Sequence, residues 1–130
     1  MRANILIVEE SPDLCRLFEH MLLADGYLVQ TYPDWQAADQ ALAQREPDLI
    51  IFDWVPANSA GYTWAEALAN AEDTALIPIL FVCGDPPQRT TLEVLGSAGI
   101  SVIEKPFDIF VFRKRVAALL GIRERALGMS

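Results

Sequence analysis

Histidine occurs once in the 130 residues, at His20, and cysteine only twice, at Cys15 and Cys83. Two thiols are too few for a disulfide framework and have no metal-site spacing. Both are expected as free thiols in or near the core. Long apolar runs are also missing. The longest uncharged one, Ala75–Gly84, has about half of the ~20 residues needed to span a bilayer and contains Pro78. The opening M-R-A-N leads straight into a strand-like run, without a signal-peptide h-region or cleavage site. A cytoplasmic protein with no membrane contact is therefore expected. Positive charge is scarce, with 10 Lys and Arg against 18 Asp and Glu and a net charge of −8. Phosphate contacts dominate nucleic-acid affinity, so no direct nucleic-acid partner is expected. Half of the basic residues lie late, at Arg113, Lys114, Arg115, Arg123 and Arg125. No repeat, low-complexity segment or linker interrupts the chain.

What is present is the composition of a folded domain, 52% hydrophobic and 22% charged. The length fits one domain, whose single core can bury well over half of the unfolded surface. Five strand candidates alternate with helix candidates. Ile5–Val8 is the first strand and ends in Glu9 and Glu10. Ser11 then reads as a helix N-cap, with Pro12 at the first helical position and Asp13 at the positive end of the dipole. Leu14, Phe18, Met21 and Leu22 share one face at helical spacing, and Gly26 suits a left-handed cap. Leu28–Tyr32 is a second strand, near an edge. Asp34 caps a helix over Trp35–Arg45, which Pro47 stops.

Leu49–Phe52 is a strand buried on both faces that runs straight into Asp53. A loop over Val55–Gly61 and a helix around Thr63–Asn70 follow. Ile79–Val82 is the fourth strand, Asp85-Pro86-Pro87 opens a helix toward Leu95, Ser101–Glu104 is the fifth strand, and a last helix covers about Phe107–Leu120. Strands alternating with helices imply an α/β fold: one doubly wound, five-stranded parallel sheet with helices on both faces. Residues 1–121 form that domain. Residues 122–130 are a tail or the start of a linker.

Every strand of a parallel sheet ends on the same side, and ligands bind beyond those carboxyl ends. That edge receives Glu9 and Glu10, Asp53, Cys83 and Gly84, and Glu104 and Lys105. A buried, unpaired carboxylate is costly, and three close together repel one another. A hard divalent cation with oxygen ligands relieves them, and Mg²⁺ suits a small carboxylate site that keeps waters and a phosphate oxygen. Lys105 adds a fixed positive charge. A carboxylate placed between such a cation and a lysine can attack phosphorus and form an aspartyl phosphate. Solvated strand ends would be the bland reading of any one of these residues, but not of the set. No G-x-G-x-x-G follows the first strand and no G-x-x-x-x-G-K-[ST] occurs, so nucleotide cradles are unsupported. A flavin-phosphate site would want backbone donors and hydroxyls where Glu9 and Glu10 stand. A haloacid-dehalogenase-like phosphatase would need an aspartate at Val55.

From about Asn4 to Leu120 the chain resembles the response-regulator receiver domain of two-component signalling. The resemblance rests on I-L-I-V-E-E-S-P-D, on L-I-I-F-D-W with Gly61, on I-L-F-V-C-G and on E-K-P-F. It implies the flavodoxin-like strand order 2-1-3-4-5. It makes Asp53 the phosphoacceptor, Glu10 a direct Mg²⁺ ligand, Glu9 a ligand through water, and the Val55 backbone carbonyl a further ligand. Lys105 would pair with the phosphoryl group, and Pro106 would follow a cis bond. The donor would be a histidine kinase or phosphotransfer protein, and the chain a phosphoacceptor with at most self-catalysed transfer and dephosphorylation, not an enzyme in the usual sense. A homodimer through the fourth helix, fifth strand and fifth helix is a further implication.

The sequence departs from the family pattern at four places. Glu10 is one methylene longer than the usual Asp. Pro56 comes one position early in the loop. Cys83 replaces the Thr or Ser hydroxyl that binds a phosphoryl oxygen, and a thiol is a weaker donor. Val102 stands where a Tyr or Phe swings inward. Two readings follow: a phosphoaccepting switch, or a degenerate receiver acting as a constitutive interaction module. The intact nucleophile and counter-charge favour the switch. A redox role for Cys83 is disfavoured, since nearby carboxylates raise a thiol pKa. Trp54 reads as a rim residue and His20 as solvated. The last helix has Ile109, Phe112, Val116, Leu119 and Leu120 at core spacing, which leaves Phe110 and Val111 for a partner surface.

Overall fold

The computed structural model describes residues 2–53, 60–83 and 100–128, apart from the side chains of Asp53, Tyr62, Cys83 and Ile100. The expected helix toward Leu95 falls outside them, as do Trp54, Val55, Pro56 and Gly84. In chain order the elements are β1 (Asn4–Val8), α1 (Pro12–Ala24), β2 (Leu28–Tyr32), α2 (Trp35–Leu42), β3 (Leu49–Asp53), α3 (Ala60–Asn70), β4 (Ile79–Cys83), β5 (Ile100–Glu104) and α4 (Ile109–Ala126). The five strands form one parallel sheet in the order β2-β1-β3-β4-β5, the order that the resemblance implies. No helix among the described residues is long and apolar enough to cross a membrane.

Side-chain alternation divides the core between the two faces of the sheet. Ile5 and Ile7 join Leu49, Ile51, Leu80, Val82 and Ile103 under α1 and α4. Leu6 and Val8 join Ile50, Phe52, Ile79 and Phe81 under α2 and α3. Central strands covered on both faces are apolar throughout, which is why L-I-I-F reads as an unbroken run. Each fully buried side chain of this kind contributes about 1.5–3 kcal/mol.

The helix starts follow the cap residues. Ser11 Oγ accepts the Leu14 amide at 3.3 Å and Asp34 Oδ1 accepts the Ala37 amide at 2.9 Å. Gly26 closes the end of α1 with φ +88°, a conformation that favours glycine. The helix α2 ends at Leu42, short of the expected Arg45. Both the Gln44 and the Arg45 amide return to the Ala41 carbonyl, so the chain tightens before Pro47.

The last helix differs at both ends from the span expected at Phe107–Leu120. It starts later because Asp108 is its N-cap, with Oδ1 accepting the Phe110 amide at 2.7 Å and the Val111 amide at 3.2 Å. It continues through Gly121 to Ala126, although a glycine inside a helix costs about 1 kcal/mol. Arg123 anchors the extra turn. Its side chain is 5% exposed, and it reaches Glu46 Oε2 at 3.0 Å and Asp48 Oδ1 at 3.6 Å. Asp48 Oδ2 in turn accepts the Asn4 amide at 2.8 Å. Between α4 and the end of α1, Arg113 grips Asp25 with two hydrogen bonds. That contact holds the Asp25 carboxyl below its ordinary pKa.

Candidate functional site at the carboxyl edge of the sheet

The site is assembled by register. Val8 lies opposite both Tyr32 and Phe52, Asp53 opposite Val82, and Cys83 opposite Glu104. One further residue along β1 brings Glu9 level with Asp53, and one beyond β5 brings Lys105 to the same edge. The backbone therefore gathers the ends that carry Glu9 and Glu10, Asp53, Cys83 and Lys105. The Asp53 and Cys83 side chains, and Val55, lie outside the described residues.

Glu9 is the best-defined member. It is only 5% exposed. Its amide donates to the Tyr32 carbonyl at 3.0 Å, and its Oε1 accepts the Ser11 amide at 3.1 Å. Glu10 is exposed. The pair sits just before the first turn of α1, where the positive end of the helix dipole favours negative charge. That placement is one physical reason a buried glutamate is tolerated here. Cys15 lies behind it and donates its thiol to the Glu9 carbonyl at 3.2 Å. Burial raises the Cys15 pKa, and Glu9 and Glu19 raise it further, so the sulfur stays a protonated donor. The sequence presents Cys15 only as a core thiol. Its position six residues after Glu9, at the first helical turn, is the signal that could have placed it behind the acidic pair.

Lys105 is half-buried, and the bond to Pro106 is cis. Phe107, next in the chain, stacks on Phe18 of α1 at 6.0 Å and on Phe112 of α4 at 5.3 Å between ring centroids. Those rings fix the turn that leaves the lysine. Val102 is half-buried and packs on the α2–α3 side of the sheet, in the cluster that also holds Tyr32 and Trp35. His20 is exposed, as expected.

Among the described residues, the donors at this edge are carboxylates and backbone carbonyls. Oxygen-only sets suit a hard cation such as Mg²⁺ and not zinc. The buried, pre-oriented Glu9 beside the exposed Glu10 fits that requirement. Among the described residues no three His, Cys, Asp or Glu side chains stand together as a metal group. The Asp53 carboxylate is not among those residues.

The family model of the response regulator receiver domain matches residues 5–117. The chain belongs to that family. Among curated relatives it is similar to the transcriptional regulatory protein RprY of Bacteroides fragilis, with 31% identity over 92% of this chain and 50% of the relative. It is also similar to the sensor histidine kinase TmoS of Ectopseudomonas mendocina, with 29% identity over 92% of this chain and 12% of the relative. The chain thus spans half or less of these two relatives. Among solved structures, the receiver domain of a signal transduction histidine kinase from Syntrophus aciditrophicus superimposes with a TM-score of 0.77. It is 27% identical and covers 92% of this chain and 90% of that one. The chemotaxis protein CheY4 of Vibrio cholerae gives a TM-score of 0.79 at 21% identity, covering 92% and 99%. It shares the fold.

Proposed function

We propose that this receiver domain accepts a phosphoryl group on Asp53 from a histidine kinase or phosphotransfer protein in the cytoplasm, and relays it as a change of conformation or association. The parallel register carries the reading, because it gathers the ends of β1, β3 and β5 at one edge. A carboxylate oxygen of Asp53 attacks the phosphorus of the donor's phosphohistidine. The P–N bond breaks, the imidazole leaves, and an acyl phosphate remains on Asp53. The ammonium of Lys105 offsets charge on the phosphoryl oxygens. The Cys83 thiol replaces the usual hydroxyl as a weaker donor to one of them. Glu9, Glu10, Asp53 and the Val55 carbonyl would hold Mg²⁺. When bound, the ion supplies charge neutralisation for the transferring group. The chain is not an enzyme in the usual sense: transfer and hydrolysis are at most self-catalysed.

The test is incubation with a small acyl-phosphate donor and Mg²⁺, followed by intact mass, with a typical receiver in parallel. One added phosphoryl group per chain is expected. No adduct, while the typical receiver is labelled, would return the chain to the second reading, a phosphorylation-independent interaction module. Val102 supports that second reading, since a short aliphatic side chain lacks the large inward swing of an aromatic one.

Either reading needs a partner surface. Ile109, Phe110 and Val111 are 50%, 63% and 45% exposed in succession on α4, and Lys114 lies over the Phe110 ring at 5.1 Å. Contiguous exposed apolar side chains mark contact surfaces. A second copy meeting the β5–α4 side is one such contact. Sedimentation with and without the phosphodonor is expected to show a larger species only with it. A monomer in both conditions would remove dimerisation from the proposal.

A further inference from the structure

The strand β5 is an edge of the sheet, hydrogen-bonded on one side to β4. Edge strands leave backbone groups without a strand partner. Here the Val102 carbonyl accepts from Arg115 Nη1 at 3.1 Å, and the same nitrogen also bonds Ser101 Oγ. Arg115 belongs to the second turn of α4. Between the two ends of this contact runs the turn that carries Lys105, Pro106 and Phe107. The guanidinium thus closes strand onto helix across the lysine. The far side of that turn is held by Phe107, which stacks on Phe18 of α1 and Phe112 of α4. The remaining cations of α4 are engaged elsewhere or exposed: Arg113 on Asp25, Arg123 on Glu46 and Asp48, Lys114 over Phe110, and Arg125 at the surface.

We infer that Arg115 is a positioning residue for Lys105: by clasping Ser101 and Val102 it sets where the lysine ammonium stands at the carboxyl edge. The inference rests on Lys105 being the counter-charge of the phosphoryl group. It also gives α4 a direct hold on β5 at Val102, the position that lacks the aromatic side chain. A planar guanidinium suits the task, since one nitrogen can meet a hydroxyl and a carbonyl together while the group stays charged.

The experiment is a double-mutant cycle read by the rate of Asp53 phosphorylation from a small acyl-phosphate donor with Mg²⁺. Arg115→Ala is expected to slow the maximal rate about tenfold, the scale of a modest misplacement of a charge-stabilising group. The donor concentration for half-maximal rate should stay unchanged. Arg115→Gln, which keeps an N–H donor for the Val102 carbonyl, is expected to recover part of the rate. In a Lys105→Ala background, Arg115→Ala should cost nothing more, because the two act as one unit. An equal loss in both backgrounds would assign Arg115 a general structural role and overturn the inference, as would an unaltered rate. A second measurement needs no phosphoryl transfer: the NMR signal of ¹³C-dimethylated Lys105, recorded in the wild type and in Arg115→Ala. A moved signal supports the clasp and an unmoved one overturns it. If the wild type takes no phosphoryl group, the reading of Asp53 fails, and the lysine signal still decides on Arg115.

Discussion

Asp53→Asn is expected to abolish phosphoryl uptake, a loss on the order of 10³-fold or more, while leaving the fold intact. Removal of a nucleophile has effects of that size, because the amide that replaces the proposed acceptor cannot form an acyl phosphate. The amide has the same shape but no basic oxygen, so the expected loss is chemical and not steric. Stability should be unchanged or slightly higher, by up to about 1 kcal/mol, since one of three neighbouring carboxylates loses its charge. The check is intact mass after incubation with donor and Mg²⁺, alongside a thermal melt of both proteins. Phosphoryl uptake by Asp53→Asn at the wild-type rate would show that another residue is the acceptor. A melt lowered by several kcal/mol would show that Asp53 is a structural element instead.

The sheet was legible in the sequence because its signals are local. Ile5–Val8, Leu49–Phe52 and Ile79–Val82 are short apolar runs, and Ser11, Asp34 and Gly26 punctuate the helices where the caps are found. The convergence of the strand ends that carry Glu9, Glu10, Asp53 and Lys105 was legible for a related reason. A parallel sheet sends every strand's end to one side, so an ordered set of strand ends is a statement about space.

What was not legible depends on long separations. Arg123 reads as one of several late basic residues, yet it is buried on Glu46 and Asp48 and carries α4 past the expected stop at Leu120. Asp48 stands just before the strand expected at Leu49–Phe52, yet its carboxylate holds the Asn4 amide. Arg115 reads as part of a basic cluster, yet it serves the edge of β5. In each case the partner lies 13 or more residues away in the chain. Periodicity and capping rules carry no information about such pairs. Asp108 is different: the N-cap rule that located Ser11 and Asp34 applies to it equally, and it sets the start of α4.

The two ends of the domain are therefore built on different principles. At the amino ends of β1 and β3, the charges Asp48, Glu46 and Arg123 are mutually paired and hold elements together. At the carboxyl ends, like charges are gathered by register before the positive end of α1. Such an arrangement costs stability unless positive charge offsets it. Phe107, which follows directly on Lys105 and Pro106, ties that edge to the core rings of Phe18 and Phe112.

Phe112→Ala is accordingly expected to produce the largest loss of stability. The ring is fully buried, with centroids 5.2 Å from Phe18 and 5.3 Å from Phe107. Truncation removes its transfer free energy and leaves a cavity between α1, α4 and the sheet, a cost of about 3–5 kcal/mol. Domains have only about 5–15 kcal/mol in total, so the variant should unfold at markedly lower denaturant. Phe112→Leu, which retains most of the volume, should cost about 1.5 kcal/mol or less. Urea titration with equal slopes for all three proteins is the check. A loss under about 1 kcal/mol for Phe112→Ala would mean that the stack is not wedged as described. The same variant, assayed well below its melting temperature, should also take up phosphate more slowly than the wild type. Phe107 would lose one of the two rings that hold the turn leaving Lys105, whereas a buried truncation on the α2–α3 face, such as Leu68→Ala, should lower stability without that second effect.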